Sequence, residues 1–233
     1  WESCTFTLDE QKDFIYNYLD GKLNDLNTKI LLFDHNKEDL YNNFKYLYKD
    51  NTNVKGISFH WYSGSHYNNL KLIRKYNKNV LLINSEMCTG FSPYDEKTWL
   101  NDAYLYTKEI INNINNGINA FLDWNILLDF RGGPNHKSNY CKCPIILNKD
   151  NNNIIKTPIY YYLYHLTRLE ENSITIENSV YDSDLYVVSS KKDKNIVITI
   201  YNDSDIYKDY NLIIGDYYLN DSINPKSIIT YEI

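Results

Sequence analysis

The stretch VLLINSEMCTG, residues 80–90, is apolar through Ile83 and then turns polar, arriving at Ser85-Glu86. A short apolar run of this kind suits a strand buried on both faces, as in a parallel sheet. It ends on a single carboxylate, followed by a Cys-Thr-Gly turn. A lone glutamate after a strand ordinarily faces water, so its meaning depends on what the flanking chain places around it.

The same pattern recurs on both sides. KILLF at 29–33, ending at Asp34, GISFHWY at 56–62 and AFLDWNILL at 120–128 read as further strands. Helical spacing fills the intervals: Leu40, Phe44 and Leu47 across 37–49, then 68–76, then 97–115 with Leu100, Ala103, Ile110, Ile111 and Ile114 on its buried side, and finally 158–169. Upstream, Thr7-Leu8-Asp9-Glu10 has the form of a capping box. Phe14, Ile15, Tyr18 and Leu19 then share one helical face up to a stop at Gly21. Strands alternating with helices predict a parallel sheet of βαβ units. Asp34, His60 and Glu86 stand at or near the C-terminal ends of successive strands, evenly spaced at 26 residues. Polar groups gathered at strand C-termini are where a TIM barrel keeps its chemistry. Only four such strands precede residue 172, and a closed barrel needs eight. Residues 1–172 therefore read as the C-terminal half of a TIM (β/α)8 barrel, the last four βα units. From 173 to 233 the texture changes to short alternating strands (SITIENSVY, DLYVVSSK, NIVITIYND, YNLIIGD, SIITYEI) split by Asn, Asp, Ser and Gly turns. That predicts a small antiparallel, sandwich-like β-domain, giving an α/β chain overall. The polar run 148–153 reads as a surface loop.

Composition narrows the function. The 233 residues are 43% hydrophobic and 23% charged, ordinary for a globular chain that can bury a core. A net charge of −6, with no basic stripe, argues against nucleic acid as a partner. The 24 tyrosines accompany many Asn, Lys and Ile residues, all with AT-rich codons, so base composition accounts for much of the excess. Cys4, Cys88, Cys141 and Cys143 make no disulfide scaffold, and Cys141-Lys142-Cys143 lacks the spacing of a zinc knuckle. The five histidines form no HxxxH pair, so neither a metal nor a cofactor is expected. No stretch reaches 18 apolar residues, so no membrane span is expected. WESCTFTLDEQ at the start lacks both an initiator methionine and the texture of a signal peptide, which suggests a fragment or a processed chain. Asn202-Asp203-Ser204 and Asn220-Asp221-Ser222 are glycosylation sequons, a pattern that an Asn-rich chain also makes by chance.

Glu86 acquires company from neighbouring strand ends. A retaining glycosidase uses two carboxylates about 5–5.5 Å apart, one as nucleophile and one as acid/base. The nucleophile must stay ionised, which favours hydroxyl or amide donors beside it, and sugars favour flat aromatic walls. His60 and Tyr62 lie at one strand end, and Trp124 and Asn125 on the strand after Glu86. The same residues also fit a structural account, with His60-Trp61-Tyr62 filling the core and Trp124 buried beneath the β-domain. The residues alone leave both readings open, and barrels host many chemistries.

Seven motifs in order carry a resemblance. They are W-E-S-C-x-F-T-x-x-E-Q-K-D-F-I at the start, F-D-H-N-K at 33–37, H-W-Y at 60–62, S-E-M-C-T-G at 85–90, D-W-N at 123–125, G-G-P-N at 132–135 and C-P-I-I at 143–146. From end to end the chain resembles glycoside hydrolase family 30, the glucosylceramidase-like family. That resemblance implies Glu86 as nucleophile and Tyr62 as its hydrogen-bond partner. It makes Trp124 a wall of the glycone pocket and His60 a binding residue, puts Asn36 and Asn139 at the rim, and matches Trp1 to an aromatic position on the aglycone side. His136 stands where some members carry tryptophan. The family's acid/base is the glutamate of an Asn-Glu-Pro motif that precedes the WESC-like stretch; Glu2 does not match it, so no residue here is given that role. The implied function is a retaining β-glycosidase acting on a β-glucoside or glucosylceramide-like glycolipid, inactive as this chain alone. An endo-β-1,6-glucanase or xylan-active relative is the alternative within the class. A non-catalytic carbohydrate-binding half-barrel is the alternative outside it. The resemblance further implies a secreted or lysosomal location and leaves contact with a lipid surface open; oligomeric state is not legible.

Overall fold

The structure, a computed structural model, describes residues 5–23, 26–90, 98–135, 138–148 and 150–233. Two compact units organise the chain: one of residues 1–88, 116–124 and 135–139, and one of residues 89–115, 125–134 and 140–233.

The first unit opens with the capping box. Thr7 Oγ1 accepts from the Glu10 amide at 3.2 Å while Glu10 Oε2 accepts from the Thr7 amide at 2.8 Å, starting α1 (Leu8–Asp13). The helix then passes through a π-helical segment (Phe14–Leu19) into α2 (Asp20–Leu23), running past Gly21, where the sequence pattern predicted a stop. The wider π turn breaks the expected 3.6-residue face. Ile15 is buried, but Phe14 and Tyr18 are 47% and 63% exposed, their rings stacked on each other instead.

Four parallel strands follow, β1 (Ile30–Asn36), β2 (Val54–His60), β3 (Leu81–Glu86) and β4 (Ala120–Phe121), hydrogen-bonded in chain order. A 3-10 turn (Lys37–Asp39) and α3 (Leu40–Leu47) connect the first pair, and α4 (Tyr67–Tyr76) the second. Leu40, Phe44 and Leu47 are fully buried, as their spacing predicts, and so are Leu70 and Ile73 of α4. Burying each such side chain contributes about 1.5–3 kcal/mol. Arg74 ties α4 to the approach to β4: its guanidinium donates to the carbonyls of Gly117 and Val80, each at 2.6 Å. Gly117 has φ 97°, and a Cβ there would sit 2.7 Å from Arg74 Cγ.

The expected strand 120–128 is in fact two elements. The ladder of β4 ends at Phe121, and beyond it the Asp123 carboxylate shares the Trp124 amide at 2.9 Å. Leu127–Asp129 is a separate strand, β5, in the second unit.

In that unit α5 (Trp99–Asn115) buries Ala103, Tyr106, Ile110, Ile111 and Ile114, whereas Leu100, predicted on the same side, is half exposed. Asp102 near its start pairs with Lys142 at 2.6 Å. Strand β5 lies parallel to β6 (Ile145–Asn148), which hairpins into β7 (Asn153–Lys156), two strands that pattern reading passed over. Helix α6 (Pro158–Leu166) begins with proline, whose missing N–H costs nothing in a first turn.

The C-terminal strands are β8 (Ile174–Ile176), β9 (Leu185–Lys192), β10 (Asn195–Asn202), β11 (Lys208–Ile214), β12 (Tyr217–Ile223) and β13 (Ile228–Glu232). They form an antiparallel sheet ordered β13-β10-β9-β8 and a β11-β12 ribbon. Ile198, Ile200 and Ile223 centre the core between them, with Tyr210, Leu212, Ile214 and Tyr231 packed around it. The chain is thus a partial α/β barrel followed by a β-domain.

Candidate active site

The site is built where β1, β2 and β3 end, wholly within the first unit. Parallel pairing sets the level: Asn36 opposes His60, and His60 opposes Glu86. Both ladders slip by one residue at that height. On β1 the pairing passes from Phe33↔Ser58 to His35↔Phe59, leaving Asp34 as an extra residue, and Phe33 and Asp34 both have positive φ, 74° and 57°. On β3 it passes from Phe59↔Asn84 to His60↔Glu86, leaving Ser85 extra. Bulges re-aim side chains at strand ends. Here the two extra residues meet: Ser85 Oγ donates to Asp34 Oδ1 at 2.5 Å and lies 3.2 Å from the Phe59 carbonyl oxygen.

His60 sits between two carboxylates. Its Nε2 is 3.5 Å from Asp34 Oδ1 and 3.6 Å from Glu86 Oε2, and its ring stacks against His35. The His60 bond, helped by the hydroxyls of Ser85 and Ser58, holds the Asp34 carboxyl down at about 2. The other oxygen of Glu86, Oε1, accepts from the Tyr62 hydroxyl at 3.1 Å. That hydroxyl also lies 3.3 Å from Cys88 Sγ. Burial pushes the Tyr62 phenol far above its usual range, so it is a neutral donor. Neighbouring Trp61 anchors the loop, its Nε1 donating to the Cys88 carbonyl at 3.1 Å. The structure therefore brings Glu86, Tyr62 and His60 together, with one carboxylate oxygen accepting from Tyr62 and the other facing the His60 ring.

Asn36 joins the group through its ladder position beside His60, and its Oδ1 is buried with no hydrogen-bond partner among the described residues. A buried amide oxygen of that kind is set to accept from an incoming hydroxyl. Trp124 is held to the loop after Glu86 by its amide, which donates to the Met87 carbonyl at 2.9 Å. Trp124 is 53% exposed. Asn139 belongs to the same unit, with its side-chain oxygen buried. Trp1 and His136 lie outside the described residues.

Asp34 and Ser85 were missed as site residues. The even spacing of Asp34, His60 and Glu86 was the available signal for the first. Nothing in the sequence marks the paired bulges.

Comparison with known proteins bears on family and fold. Residues 1–169 match the glycosyl hydrolase family 30 TIM-barrel domain. The lysosomal acid glucosylceramidase of Mus musculus is 28% identical over 97% of this chain and 47% of its own. SrfJ from Salmonella typhimurium superposes with a TM-score of 0.93 at 26% identity, over 100% of this chain and 54% of that one. The endo-β1,6-glucanase BT3312 gives 0.84 at 23% identity, over 99% and 54%, a likeness of fold. The chain spans roughly a third to a half of the length of the curated relatives it matches, from 34% to 48%. With a family match across most of its length and polar groups gathered at the ends of its parallel strands, the chain belongs to glycosyl hydrolase family 30.

Proposed function

We propose that this chain is part of a retaining β-glycosidase of glucosylceramidase type, with Glu86 as the nucleophile. Residues 1–172 form its catalytic portion and 173–233 an accompanying β-domain. The observation that carries the reading is a strand-end carboxylate that accepts from the Tyr62 hydroxyl at 3.1 Å, with the His60 ring nitrogen 3.6 Å from its other oxygen. Those contacts fix the direction in which the carboxylate presents its lone pairs. In the first step Glu86 attacks the anomeric carbon, the bond to the leaving oxygen breaks, and a glycosyl ester forms; water then displaces the carboxylate. Tyr62 and His60 bind and orient the carboxylate. Trp124 offers a flat face to the ring, and Asn36 and Asn139 contribute amide oxygens at the rim. The reading gives no residue of this chain the role of protonating the leaving oxygen, so turnover belongs to the whole protein.

A glucosylceramide-like glycolipid is the favoured substrate, supported by the mouse relative's name. No helix among the described residues is long and apolar enough to cross a membrane. A secreted or lysosomal location goes with this reading.

The test is covalent trapping. A 2-deoxy-2-fluoro-β-glucoside with a dinitrophenolate leaving group needs no acid, so only the nucleophile is interrogated. Incubation with the full-length protein should leave the fluorosugar esterified to Glu86, located by peptide mass spectrometry. Esterification of a different carboxylate, or turnover with inversion at the anomeric carbon, would remove Glu86 from its role.

A further inference from the structure

The two Asn-x-Ser sequons have opposite surroundings. Asn202, the last residue of β10, is fully buried. Its Nδ2 donates to the carbonyls of Ile206 at 2.9 Å and Asn224 at 3.0 Å, while its Oδ1 accepts from the amide and hydroxyl of Ser204 at 3.0 and 2.7 Å. Asn220 stands on β12, paired with Asn211 across the ribbon. Alternation sends Leu219, Asp221 and Ile223 to one face of that strand and Tyr218, Asn220 and Ser222 to the other. Ile223 and, from β11, Tyr210, Leu212 and Ile214 are the side that packs on the core. Asn220 is therefore on the solvent face, beside Ile213 and Tyr218, which are 70% and 74% exposed.

We propose that Asn220 is an N-glycan acceptor and that Asn202 is not. The inference rests on the secreted or lysosomal location given above and not on the glycosidase chemistry. The donor is an oligosaccharide linked through pyrophosphate to a lipid. Asn220 Nδ2 forms a bond to the sugar C1, the bond from C1 to the pyrophosphate oxygen breaks, lipid pyrophosphate leaves, and the amide proton passes to the transferase's base. Transfer occurs on the extended chain, before the Ser222 hydroxyl is taken up by that of Tyr207 in the closed ribbon. A chain modified at Asn202 cannot close the turn after β10, because a hydrated sugar has no place at a fully buried amide whose hydrogens are both engaged. Tyr218, two residues before Asn220 and on the same face, gives the first sugar an aromatic surface to lie on and brings Ile213 under cover.

The experiment is site mapping on the full-length protein purified from the cells that make it. Trypsin cleaves after Lys194, Lys208 and Lys226, separating the sequons onto residues 195–208 and 209–226. Enzymatic deglycosylation in heavy-oxygen water converts an occupied asparagine to labelled aspartate. Label is expected in 209–226 and none in 195–208; an unlabelled 209–226, or a labelled 195–208, overturns the assignment. As a second measurement, deglycosylation should lower Tm in the wild type and less in Tyr218→Ala. An equal shift in both overturns the part given to Tyr218. Both readouts are independent of turnover, so a failure of the trapping experiment leaves them standing.

Discussion

At the scale of single residues, the site depends on a few short contacts whose loss has calculable consequences. A hydrogen bond to a charged group contributes about 1.5–3 kcal/mol. Tyr62→Phe removes the donor to Glu86 and should cost the full-length enzyme about 10- to 100-fold in kcat/KM, with folding intact. Steady-state kinetics with circular dichroism as the control checks this; unchanged kinetics would mean the hydroxyl is incidental. Asp34 gives a pH prediction. Its carboxyl titrates in the folded chain at about 2, below the ordinary 3.8. A depressed carboxyl contributes stability that is present above 3.8 and lost as pH falls toward 2. Asp34→Asn should therefore flatten the decline in stability between pH 4 and 2, as measured by urea unfolding across that window. A slope identical to wild type would show that the His60 and Ser85 contacts do not hold the proton off. Glu86, His60 and Tyr62 were legible as a group because each ends or directly follows an apolar strand. The role of Asp34 was not, because its direction comes from a left-handed backbone that tertiary pairing imposes on an unremarkable tripeptide.

Elements were legible in proportion to how apolar they are. β1 and β3 open on continuous apolar runs, β2 is largely buried, and α3 has clean helical spacing, so burial dictates them. The β6-β7 hairpin escaped because its asparagine-rich turn outweighs two short strands. β12 escaped because Tyr217-Tyr218-Leu219 runs straight into Asn220-Asp221-Ser222, a turn-like polar run, and the strand buries little. The first helix misled because a π turn shifts the phase of its apolar face. One close approach sets the pairing of the parallel sheet. A Cβ at Gly56 would lie 1.9 Å from the Leu81 carbonyl oxygen, so β2 and β3 can pair only with hydrogen at that position. Gly56→Ala should cost about 3 kcal/mol or more, beyond what a flexible side chain would relieve. Denaturant unfolding of the variant measures it, and a loss below about 1 kcal/mol would show that the strands can separate cheaply.

For the molecule as a whole, the chain is a family 30 barrel segment with a β-domain, spanning a third to a half of its curated relatives. The surroundings of Glu86 are assembled from contacts inside one compact unit, whereas the proposed double displacement also needs a proton donor for the leaving group. The 233-residue chain by itself is therefore expected to show no turnover of an aryl β-glucoside that requires protonation. Clear hydrolysis by the purified chain would mean that it contains both carboxylates. Half of a barrel was legible from the count of strand-helix repeats, since each repeat is a physical unit of the sheet. Substrate was not, because the groups that select an aglycone sit on loops whose chemistry follows no periodicity.

The bulge at Phe33 and Asp34 also bears on protein engineering. Two consecutive non-glycine residues in the left-handed region carry a conformational cost of about 1–2 kcal/mol each. A stabilisation campaign guided by backbone preference would therefore choose glycine at both. At position 34 that choice would erase the acceptor of Ser85 and His60, so the easiest gain in robustness coincides with the residue that links the two strand ends. Thermostable variants should be sought in the β-domain and on the outer helices, with these two positions held fixed.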